Sequence, residues 1–500
     1  MKKAFSIYIL LGATLIVASM LFSSCKKESF NESASAELKF NTDTILFDTV
    51  FTTIGSTTQA LKVYNNYDKS ILISEIRLEG GSSSQFRINV DGTDGYQHGD
   101  VEILPNDSIY IFVEVTVDPG NSNLPFIIED NILFNLNGNQ QIVNLAAWGQ
   151  DAYFHGGLGE LFILEPNEIW NNDKPHVVYG IVAVDEGNSL TINAGTRVYC
   201  HNKSGLYIYK GTLDINGELN NEVIFNGDRL ESDYVDLPGQ WGIQLEFLVE
   251  SGGAPTVASV ARGGIWLVQC TNSEIDYAIL KNGGMGIQVD TTGVPYTSSD
   301  YSLEVRNTKI YNMSGVGLFG QGGSIKGENL LVANCGQSCA YFSIGGKYTM
   351  DNCTFANYWT NGNRTAPAFA INNYYEDINE NIQVRPIINS SFTNCIMYGN
   401  NALLSDFNEF VVDVVNEGTL EYSFNTCLLD TDINVDVDTH FSNTVNGQGP
   451  PFCDVSAVNF RLSNNPGAVS GIPNGVNSDI LGNFGTGDWK GCYDYTGNCN

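Results

Sequence analysis

Asn307-Thr-Lys-Ile310-Tyr-Asn312 is a phrase that the chain repeats at nearly constant spacing. It returns as Asn329-Leu-Leu-Val332-Ala-Asn334 and as Asn352-Cys-Thr-Phe355-Ala-Asn357, so successive copies start 22 and 23 residues apart. In each copy an apolar residue follows the first Asn by three positions, and a second Asn comes two positions later. A period of roughly 20 to 50 residues is typical of solenoids, in which each repeat packs on the next. The phrase therefore predicts a repeat architecture.

The same phrase indicates how one repeat is built. Looser copies occur at 276–282, 394–397 and 425–430, which extends the repeat along the second half of the chain. We expect the apolar residue to point inward and to stack on its counterpart in the next repeat. We expect Asn to form the bend, because its side chain tolerates the left-handed conformation and bonds neighbouring backbone.

The composition predicts an all-β protein. Only 16% of the 500 residues are charged, and 52 are Gly. Short alternating apolar runs lie between Gly, Asn and Asp turns, and no long segment beyond the N-terminus has a helical apolar stripe. A chain of this length exceeds one ordinary core, so it holds two or more units or one long array.

Residues 40–150 form a separate predicted unit. They contain about seven short strand-like runs with turn signals between them, which is the pattern of an antiparallel β-sandwich. Its clearest runs are Leu61-Lys-Val63, Ile71-Leu-Ile73-Ser-Glu-Ile76-Arg-Leu78, Phe86-Arg-Ile88-Asn-Val90, Ile132-Leu-Phe134-Asn-Leu136 and Val143-Asn-Leu145.

Several segments of this unit resemble the immunoglobulin-like domains of the abnormal-spindle/hydin type. The resemblance rests on Thr49-Val50-Phe51 with Gly55-Ser56, Leu61-Lys-Val63-Tyr-Asn65, Ile103-Leu-Pro105-Asn-Asp107-Ser-Ile109 and Leu145-Ala-Ala-Trp-Gly149. It implies an immunoglobulin-like β-sandwich that serves as a spacer or interaction module. No catalytic residue is carried over from that family.

Residues 152–500 resemble a right-handed parallel β-helix of the pectate-lyase-like type. The resemblance rests on Ser189-Leu-Thr-Ile192-Asn-Ala-Gly195-Thr, Gly211-Thr-Leu213-Asp-Ile215 and Gly239-Gln-Trp241-Gly-Ile243. It implies a coil of short parallel strands, with an inserted loop at 245–262. Three segments resemble the terminal rungs and the C-terminal cap of this class: Asn459-Phe-Arg461-Leu, Asp479-Ile-Leu481-Gly and Gly491-Cys-Tyr493.

The N-terminus predicts export and lipid attachment. Residues 1–24 combine Lys2-Lys3, an apolar run over 7–22 and small residues before Cys25. This segment resembles a bacterial lipoprotein signal peptide, which implies that Cys25 becomes the lipidated first residue of a tether over 25–39. A membrane span is the alternative, but the apolar run is short for one. Lys26 favours the outer membrane, and the following Lys-Glu pair faintly favours the cell surface.

The charge balance bears on partners. The formal net charge is −32, which disfavours nucleic acid and anionic lipid as partners. We expect contact with a membrane only through the lipid anchor. Asp430-Thr-Asp432-Ile-Asn434-Val-Asp436-Val-Asp438-Thr-His440 would place its acids on one face of a strand, where they resemble oxygen ligands for Ca²⁺. A solvated acidic face is the alternative, and we predict no cofactor and no metal site.

Ten cysteines remain after Cys25. Those within the repeat phrases are expected to stack in the core as small apolar residues, and Cys335-x3-Cys339 lacks the partners of a zinc site. Cys492 and Cys499 are the candidate disulfide. The repeat-phrase cysteines are Cys335, Cys353, Cys395 and Cys427.

The β-helix resemblance implies two enzymatic possibilities, polysaccharide lyases and glycoside hydrolases. Hydrolysis needs two carboxyl groups on one face, and a lyase needs a base with a cation or Arg. Candidate side chains between 350 and 410 fall in no recognisable catalytic motif, so no catalytic residue is assigned, and solvated turn residues are the alternative. The candidates are Asp351, Glu376, Asp377 and Asp406, with Arg364 and Arg385.

The repeat is interrupted at 358–386, where Asn352 and Asn394 are 42 residues apart. Aromatic residues beside Asn, Asp and Arg suit sugar rings, which stack on aromatic faces and form hydrogen bonds. The alternative is that these rings stack inside the coil. The candidate ligand-binding residues are Tyr358, Trp359, Arg364, Tyr374, Tyr375, Asp377 and Arg385.

Three functions remain open. The sequence favours a lipid-anchored outer-membrane or cell-surface protein that binds glycans or other proteins without catalysis. A polysaccharide lyase or glycoside hydrolase acting on an extracellular polysaccharide is the alternative, and a purely structural envelope component is the third. We prefer the non-catalytic binding function because the sequence has no recognisable catalytic motif and contains a predicted tether and a predicted spacer unit.

Overall fold

The computed structural model describes residues 29–51, 56–117, 126–251, 254–290, 301–400, 408–463, 470–485, 487–494 and 499. The chain divides into two compact units, Met1–Gln150 and Asp151–Asn500. Strands dominate both, which confirms the all-β prediction. The predicted lipidation site Cys25 lies outside the described residues. Within those residues the helices are 3-10 segments of three residues each, too short to cross a membrane.

The first unit is a β-sandwich of two five-stranded sheets. One sheet has the order β1-β3-β8-β5-β6 and the other β2-β10-β9-β4-β7, with β2 and β10 parallel and the other neighbours antiparallel. Alternate residues of each strand point into a shared apolar core. Its strands are β1 Lys39–Phe40, β2 Thr44–Phe51, β3 Gln59–Tyr64, β4 Ile71–Leu78, β5 Phe86–Val90, β6 Thr93–Gly95, β7 Gln97–Ile103, β8 Ser108–Val115, β9 Phe126–Leu136 and β10 Asn139–Gln150, with a 3-10 helix at Gly81–Ser83.

The second unit is a parallel β-helix followed by an irregular C-terminal segment. Its strands are β11 Tyr153–Ile163, β12 Glu168–Trp170, β13 His176–Val184, β14 Ser189–Asn193, β15 Arg197–Cys200, β16 Gly205–Tyr209, β17 Thr212–Asn216, β18 Val223–Gly227, β19 Gln244–Ser251, β20 Ala254–Ala261, β21 Ile265–Val268, β22 Ser273–Asp276, β23 Ala278–Lys281, β24 Ile287–Asp290, β25 Leu303–Arg306, β26 Lys309–Tyr311, β27 Leu318–Gln321, β28 Ser324–Glu328, β29 Leu331–Ala333, β30 Ala340–Ser343, β31 Lys347–Asp351, β32 Thr354–Asn357, β33 Phe369–Asn372, β34 Tyr374–Glu376, β35 Ile382–Val384, β36 Ile387–Thr393, β37 Ile396–Gly399, β38 Phe410–Asp413, β39 Leu420–Asn425, β40 Leu428–Leu429, β41 Phe441–Ser442, β42 Val445–Asn446, β43 Phe452–Asp454 and β44 Asn459–Leu462, with a 3-10 helix at Ser232–Tyr234.

The coil strands stack in three parallel sheets. Sheet A is β13-β16-β21-β24-β27-β30-β33-β38, and sheet B is β13-β15-β18-β23-β26-β29-β32-β37-β40-β42. Sheet C is β12-β14-β17-β22-β25-β28-β31-β36-β39-β41. The long strand β13 serves two sheets, because its first half pairs with β15 and its second half with β16. Each full turn therefore runs through C, B and A before the next C strand.

The apolar residue of the repeat phrase points inward, as predicted. Ile310, Val332, Phe355 and Met397 are register partners on successive strands of sheet B. All four have no solvent exposure and belong to one continuous core. Parallel pairing directs the same strand position into the core on every rung. The sequence phrase therefore repeats because each rung needs an apolar residue at that position.

The Asn residues of the phrase form the bends of the coil. Asn307, Asn312, Asn329 and Asn352 have φ between 47° and 56°, in the left-handed region. Their amides also bond from rung to rung: Asn329 Nδ2 donates to Asn307 Oδ1 at 3.1 Å. Asn357 is the exception, because its φ is not in the left-handed region. Its amide oxygen accepts the backbone N–H of Cys335, and the loop 358–368 begins at the next residue.

Both interruptions of the repeat carry antiparallel hairpins. The insertion predicted at 245–262 is the pair β19 and β20. The interruption at 358–386 contains the loop 358–368 and then the hairpin β34 and β35. The coil continues past both in parallel pairing, with a one-residue register shift between Ile387 and Ser390 after the second.

The C-terminal segment does not continue the coil, so the predicted terminal rungs at 459–462, 479–482 and 491–493 are wrong. The last coil strands are β41 and β42, and β43 pairs antiparallel with β44. The described residues of this C-terminal segment, 452–463, 470–485 and 487–494, include Phe460, Ile480 and Cys492, which cover outward-facing apolar residues of sheet B. Covered residues of sheet B are Leu331, Ala333, Ala356, Ile396 and Leu428.

The predicted disulfide Cys492–Cys499 is wrong. Cys499 pairs with Cys453, 46 residues earlier in the chain. Cys492 stays a buried thiol because it packs on sheet B, with its backbone N–H donating to Thr354 Oγ1 at 3.1 Å. The cysteines of the repeat phrases are buried thiols in the coil core, as predicted.

Candidate functional site

A buried ion pair fixes the loop 358–368, which joins sheet B to sheet A. Arg364 donates through both terminal nitrogens to the two carboxylate oxygens of Glu409, at 2.7 and 2.5 Å. The same guanidinium donates to the carbonyls of Asn357 and Ala366. Arg364 and Glu409 are 4% and 1% exposed. Arg364 was a predicted ligand-binding residue, but its burial gives it the role of holding the loop in place.

One side of this loop forms a cleft of about 420 Å³. Its floor comes from the ends of β26 and β29, and its walls come from the loop before β19, the loop 358–368 and the turn between β43 and β44. We call this space the cleft. Its lining residues are Asp236, Tyr311, Asn312, Asn334, Tyr358, Trp359, Thr360, Asn361, Ser456, Ala457 and Val458.

Two Asn residues of the repeat phrase tie the walls of the cleft to its floor. Asn312 Nδ2 donates to the Asp236 carbonyl at 2.8 Å, and Asn361 Nδ2 donates to Asn312 Oδ1 at 3.4 Å. Asn334 Oδ1 accepts the backbone N–H of Tyr358 at 3.3 Å. Bend residues of the coil thus also order the segments that surround the cleft.

Three aromatic side chains line the cleft, and all are half-buried. Burial raises the pKa of Tyr311 to about 12, with a smaller contribution from Asp236, and burial also raises the pKa of Tyr358. Both hydroxyls are therefore neutral at physiological pH. Tyr358 packs on Phe452 and Phe460 of the C-terminal segment.

The third wall is a turn that the protein holds in place. Asp454 accepts the backbone N–H groups of Ser456 and Ala457 at 3.0 and 3.2 Å. Val458 follows with φ of 56°, a left-handed conformation that strains a β-branched residue. The disulfide between Cys453 and Cys499 constrains the start of the turn.

The other predicted ligand-binding residues lie on the second hairpin, away from the cleft lining. The Tyr374 hydroxyl donates to Asp413 Oδ2 at 2.7 Å. Arg385 lies over the Tyr375 ring, 5.3 Å from its centroid. Asp377 accepts the backbone N–H groups of Asn379 and Asn381, which lowers its pKa and closes the hairpin turn. Of the predicted set, only Tyr358 and Trp359 line the cleft, and four others, Tyr374, Tyr375, Asp377 and Arg385, gather on the second hairpin.

The structure places the described candidate carboxyls on two different elements, the second hairpin and sheet C. Glu376 and Asp377 belong to the hairpin, and Asp406 lies outside the described residues. Asp351 lies on sheet C, opposite Glu328 of the neighbouring strand. Burial raises the pKa of Asp351 to about 6 and also raises that of Glu328.

The acidic stretch 430–440 forms turns and not the strand on which the Ca²⁺ hypothesis depended. Asp438 bonds the ring of His440 at 2.7 Å, so its carboxylate is already engaged. Among the described residues no group of three or more His, Cys, Asp or Glu side chains is arranged to hold a metal.

Several cleft residues escaped the sequence-based prediction. Asn312 and Asn334 were assigned only to bends, although each also serves the cleft. Asp236 and the turn 456–458 lie far in sequence from the interruption at 358–386, which supplies the loop of the cleft. Nothing in their local sequence indicates that they meet.

No protein-family model matches the chain, and no curated protein matches it. Solved structures give weak similarities. The catalytic unit of a GH87 α-1,3-glucanase from Streptomyces thermodiastaticus is 10% identical with a TM-score of 0.25, over 78% of this chain and 89% of that one. A family 123 glycoside hydrolase from Clostridium perfringens is 11% identical with a TM-score of 0.18, over 26% of each chain. Superpositions this poor do not bear on activity.

Proposed function

We propose that this protein binds a neutral glycan in the cleft and does not cleave it. The observation that carries the proposal is the meeting of three aromatic side chains, Tyr311, Tyr358 and Trp359, around one open space. Aromatic faces stack on the apolar faces of sugar rings, and neutral phenols form hydrogen bonds with sugar hydroxyls.

The charge of the cleft favours a neutral ligand. Of its lining residues, all of which the structure describes, Asp236 alone carries a carboxylate and none is Lys or Arg. A phosphorylated, sulfated or uronic acid chain would meet no cation there. The overall charge of −32 would repel such a chain further.

The same count argues against hydrolysis in the cleft. Glycoside hydrolysis uses two carboxyl groups that flank the bond, about 5 Å apart for retention or up to roughly 9.5 Å for inversion. The lining offers one, Asp236. A site with stacking faces and one carboxylate binds sugars without a general acid and base pair.

We further propose that Cys25 is lipidated and that the protein is carried at the outer membrane on the tether 25–39. The signal-like segment before Cys25 supports this. Cells expressing the wild type are expected to incorporate labelled palmitate into the protein, and Cys25→Ala is expected to abolish both labelling and membrane fractionation. Labelling that survives the substitution would refute the anchor.

Glycan binding is tested with purified 26–500 and Trp359→Ala on a panel of neutral and acidic polysaccharides. We expect wild-type binding to neutral chains, and an affinity about 10- to 100-fold lower for the variant, since one stacked ring contributes roughly 1 to 3 kcal/mol. Trp148→Ala, an exposed Trp of the sandwich, is the matched control and keeps wild-type affinity. Equal affinity of Trp359→Ala and wild type would overturn the proposal.

A second candidate function is hydrolysis on sheet C. Asp351 with its raised pKa, opposite Glu328, is the observation that favours it, because a general acid must be protonated near neutral pH. The same polysaccharide panel is assayed for new reducing ends. Release by wild type that is lost in Asp351→Asn supports hydrolysis, and the absence of release from every chain rejects it.

A further inference from the structure

A second groove, of about 370 Å³, lies on the outer face of sheet A. Tyr341, Ala370 and Val411 are register partners on β30, β33 and β38, so they form one row along the coil axis. Phe319 precedes Tyr341 in the same row, and the two rings stack with centroids 5.6 Å apart. The row therefore places an aromatic step beside a floor of small apolar side chains.

Polar side chains follow the row on one side. Asn372 and Asp413 are register partners on β33 and β38. Asn372 Nδ2 donates to the Tyr341 hydroxyl at 3.0 Å, and Asp413 accepts the hydroxyl of Tyr374 at 2.7 Å. Asp413 is exposed, and a carboxylate can accept further hydrogen bonds. The groove thus presents an apolar floor with one exposed carboxylate acceptor, Asp413, at its side.

The opposite wall is the loop that also bounds the cleft. Residues 365–367 face the groove, and residues 358–361 face the cleft. The ion pair of Arg364 with Glu409 lies between these two parts of the loop and holds both. One anchored loop therefore shapes two separate concave surfaces.

We propose that the groove is a second sugar-binding site, which takes a neutral pyranose unit of a linear glycan. This inference rests on the proposed function, since it assigns the same ligand class to a second site. The floor suits the apolar face of the ring, with Tyr341 stacking and Asp413 accepting hydroxyl protons. Asp413 is the only charged residue of the lining, all of which is described, so an anionic sugar finds no cation.

The test compares two substitutions to Arg of small outward-facing residues. Ala370→Arg fills the groove, and Ser423→Arg on sheet C is the control, because Ser423 is exposed and lies outside both sites. Maltohexaose, laminarihexaose and cellohexaose serve as probes in calorimetry on 26–500. Unchanged melting temperatures establish that both variants fold. Asp413→Asn serves as a milder second variant.

For a probe that binds, we expect two sites per wild-type chain and one in Ala370→Arg. Trp359→Ala should keep one site at wild-type affinity and weaken the other about 10- to 100-fold, and the double variant should keep only the weakened site. We expect Asp413→Asn to weaken one of the two sites several-fold. Affinity for the matching polysaccharide should fall at least 10-fold in Ala370→Arg, because engagement at two linked sites is lost. A single wild-type site that Trp359→Ala weakens and Ala370→Arg leaves intact overturns the groove and keeps the cleft. No binding by wild type overturns both.

Discussion

The outer faces of sheets A and B belong to the same coil but differ in how far their outward residues are exposed to solvent. On sheet B the outward residues Leu331, Ala333 and Ala356 are fully buried, because the C-terminal segment packs over them. On sheet A the outward residues Phe319 and Tyr341 stay half-exposed.

The outward residues of sheet B are covered by protein, whereas the aromatic row of sheet A stays accessible, and it is there that we propose a second glycan site. The cleft adjoins the covered face, since its third wall is a turn of the covering segment. The comparison therefore separates a face whose outward residues are packed against protein from one whose outward residues are accessible to a ligand.

The largest expected effect tests the loop between the two faces. Arg364→Met leaves the buried Glu409 carboxylate unpaired, and we expect a loss of about 3 to 5 kcal/mol in the free energy of unfolding. Glycan binding should also fall, since the loop walls both sites. Chemical denaturation and calorimetry measure the two effects.

The double variant Arg364→Met/Glu409→Leu sharpens this result. We expect much of the stability to return, because no charge is left buried, while binding stays impaired because the loop has lost its anchor. Full recovery of binding in the double variant would show that the ion pair does not position the walls.

The next effect compares the faces directly. Leu331→Ala removes a buried side chain under the C-terminal segment, and we expect a cost of about 2 to 4 kcal/mol from lost burial and a residual cavity. Phe319→Ala on sheet A should cost about 1 kcal/mol or less, since its ring is already half in water. Equal costs from parallel denaturation curves would contradict the distinction between the faces.

A pH effect tests the edge where the C-terminal segment meets sheet C. Asp351, which bonds Asn474 of that segment, has a folded pKa of about 6 against an ordinary value of 3.8. The folded state thus binds more protons between these values, so this group lowers stability as pH rises from about 4 to 6, by roughly 2 to 3 kcal/mol.

Asp351→Asn removes that group and should flatten the dependence. Melting temperature from pH 4 to 7 provides the measurement, with Asp436→Asn, in the exposed turns, as the control. A wild-type profile that the Asp351 substitution leaves unchanged would mean that the carboxyl titrates normally.

The smallest effect concerns the strained turn of the cleft. Cys453→Ser/Cys499→Ser releases the turn that carries Val458, and we expect the affinity of the cleft for a glycan to fall about 3- to 10-fold, the cost of ordering a few residues on binding. Binding in the groove should not change. A loss at both sites would indicate that the disulfide stabilises the whole unit and not the wall alone.

The coil could be predicted from sequence because its determinants are local. The inward residues of the phrase and the bend-forming Asn residues recur every 22 or 23 residues, and parallel stacking does the rest. The positions of both interruptions were also predictable, since extra residues within a fixed rung must leave the coil, but the sequence did not predict that they form hairpins.

The covering segment and the cleft were not predictable, because their contacts span long sequence distances. Asn329 donates to the carbonyl of Ser478, 149 residues away, and Asn352 accepts from Asn474, 122 residues away. Apolar pairs such as those at 479–481 resemble coil strands locally, and only three-dimensional packing reveals that they lie on the side of the coil. The disulfide prediction failed for the same reason.

The C-terminal segment also changes how the coil can unfold. In a simple solenoid each rung contacts only its neighbours, so terminal rungs fray independently. Here Asn329, Asn352 and Asn394, from three different rungs, all donate to carbonyls of one segment. The segment acts as a longitudinal strap, so a rung cannot open without releasing contacts that its neighbours share. We therefore expect the backbone amides of these rungs to lose their protection from hydrogen exchange together, in one cooperative opening. A simple solenoid would lose protection gradually from its terminal rung inward.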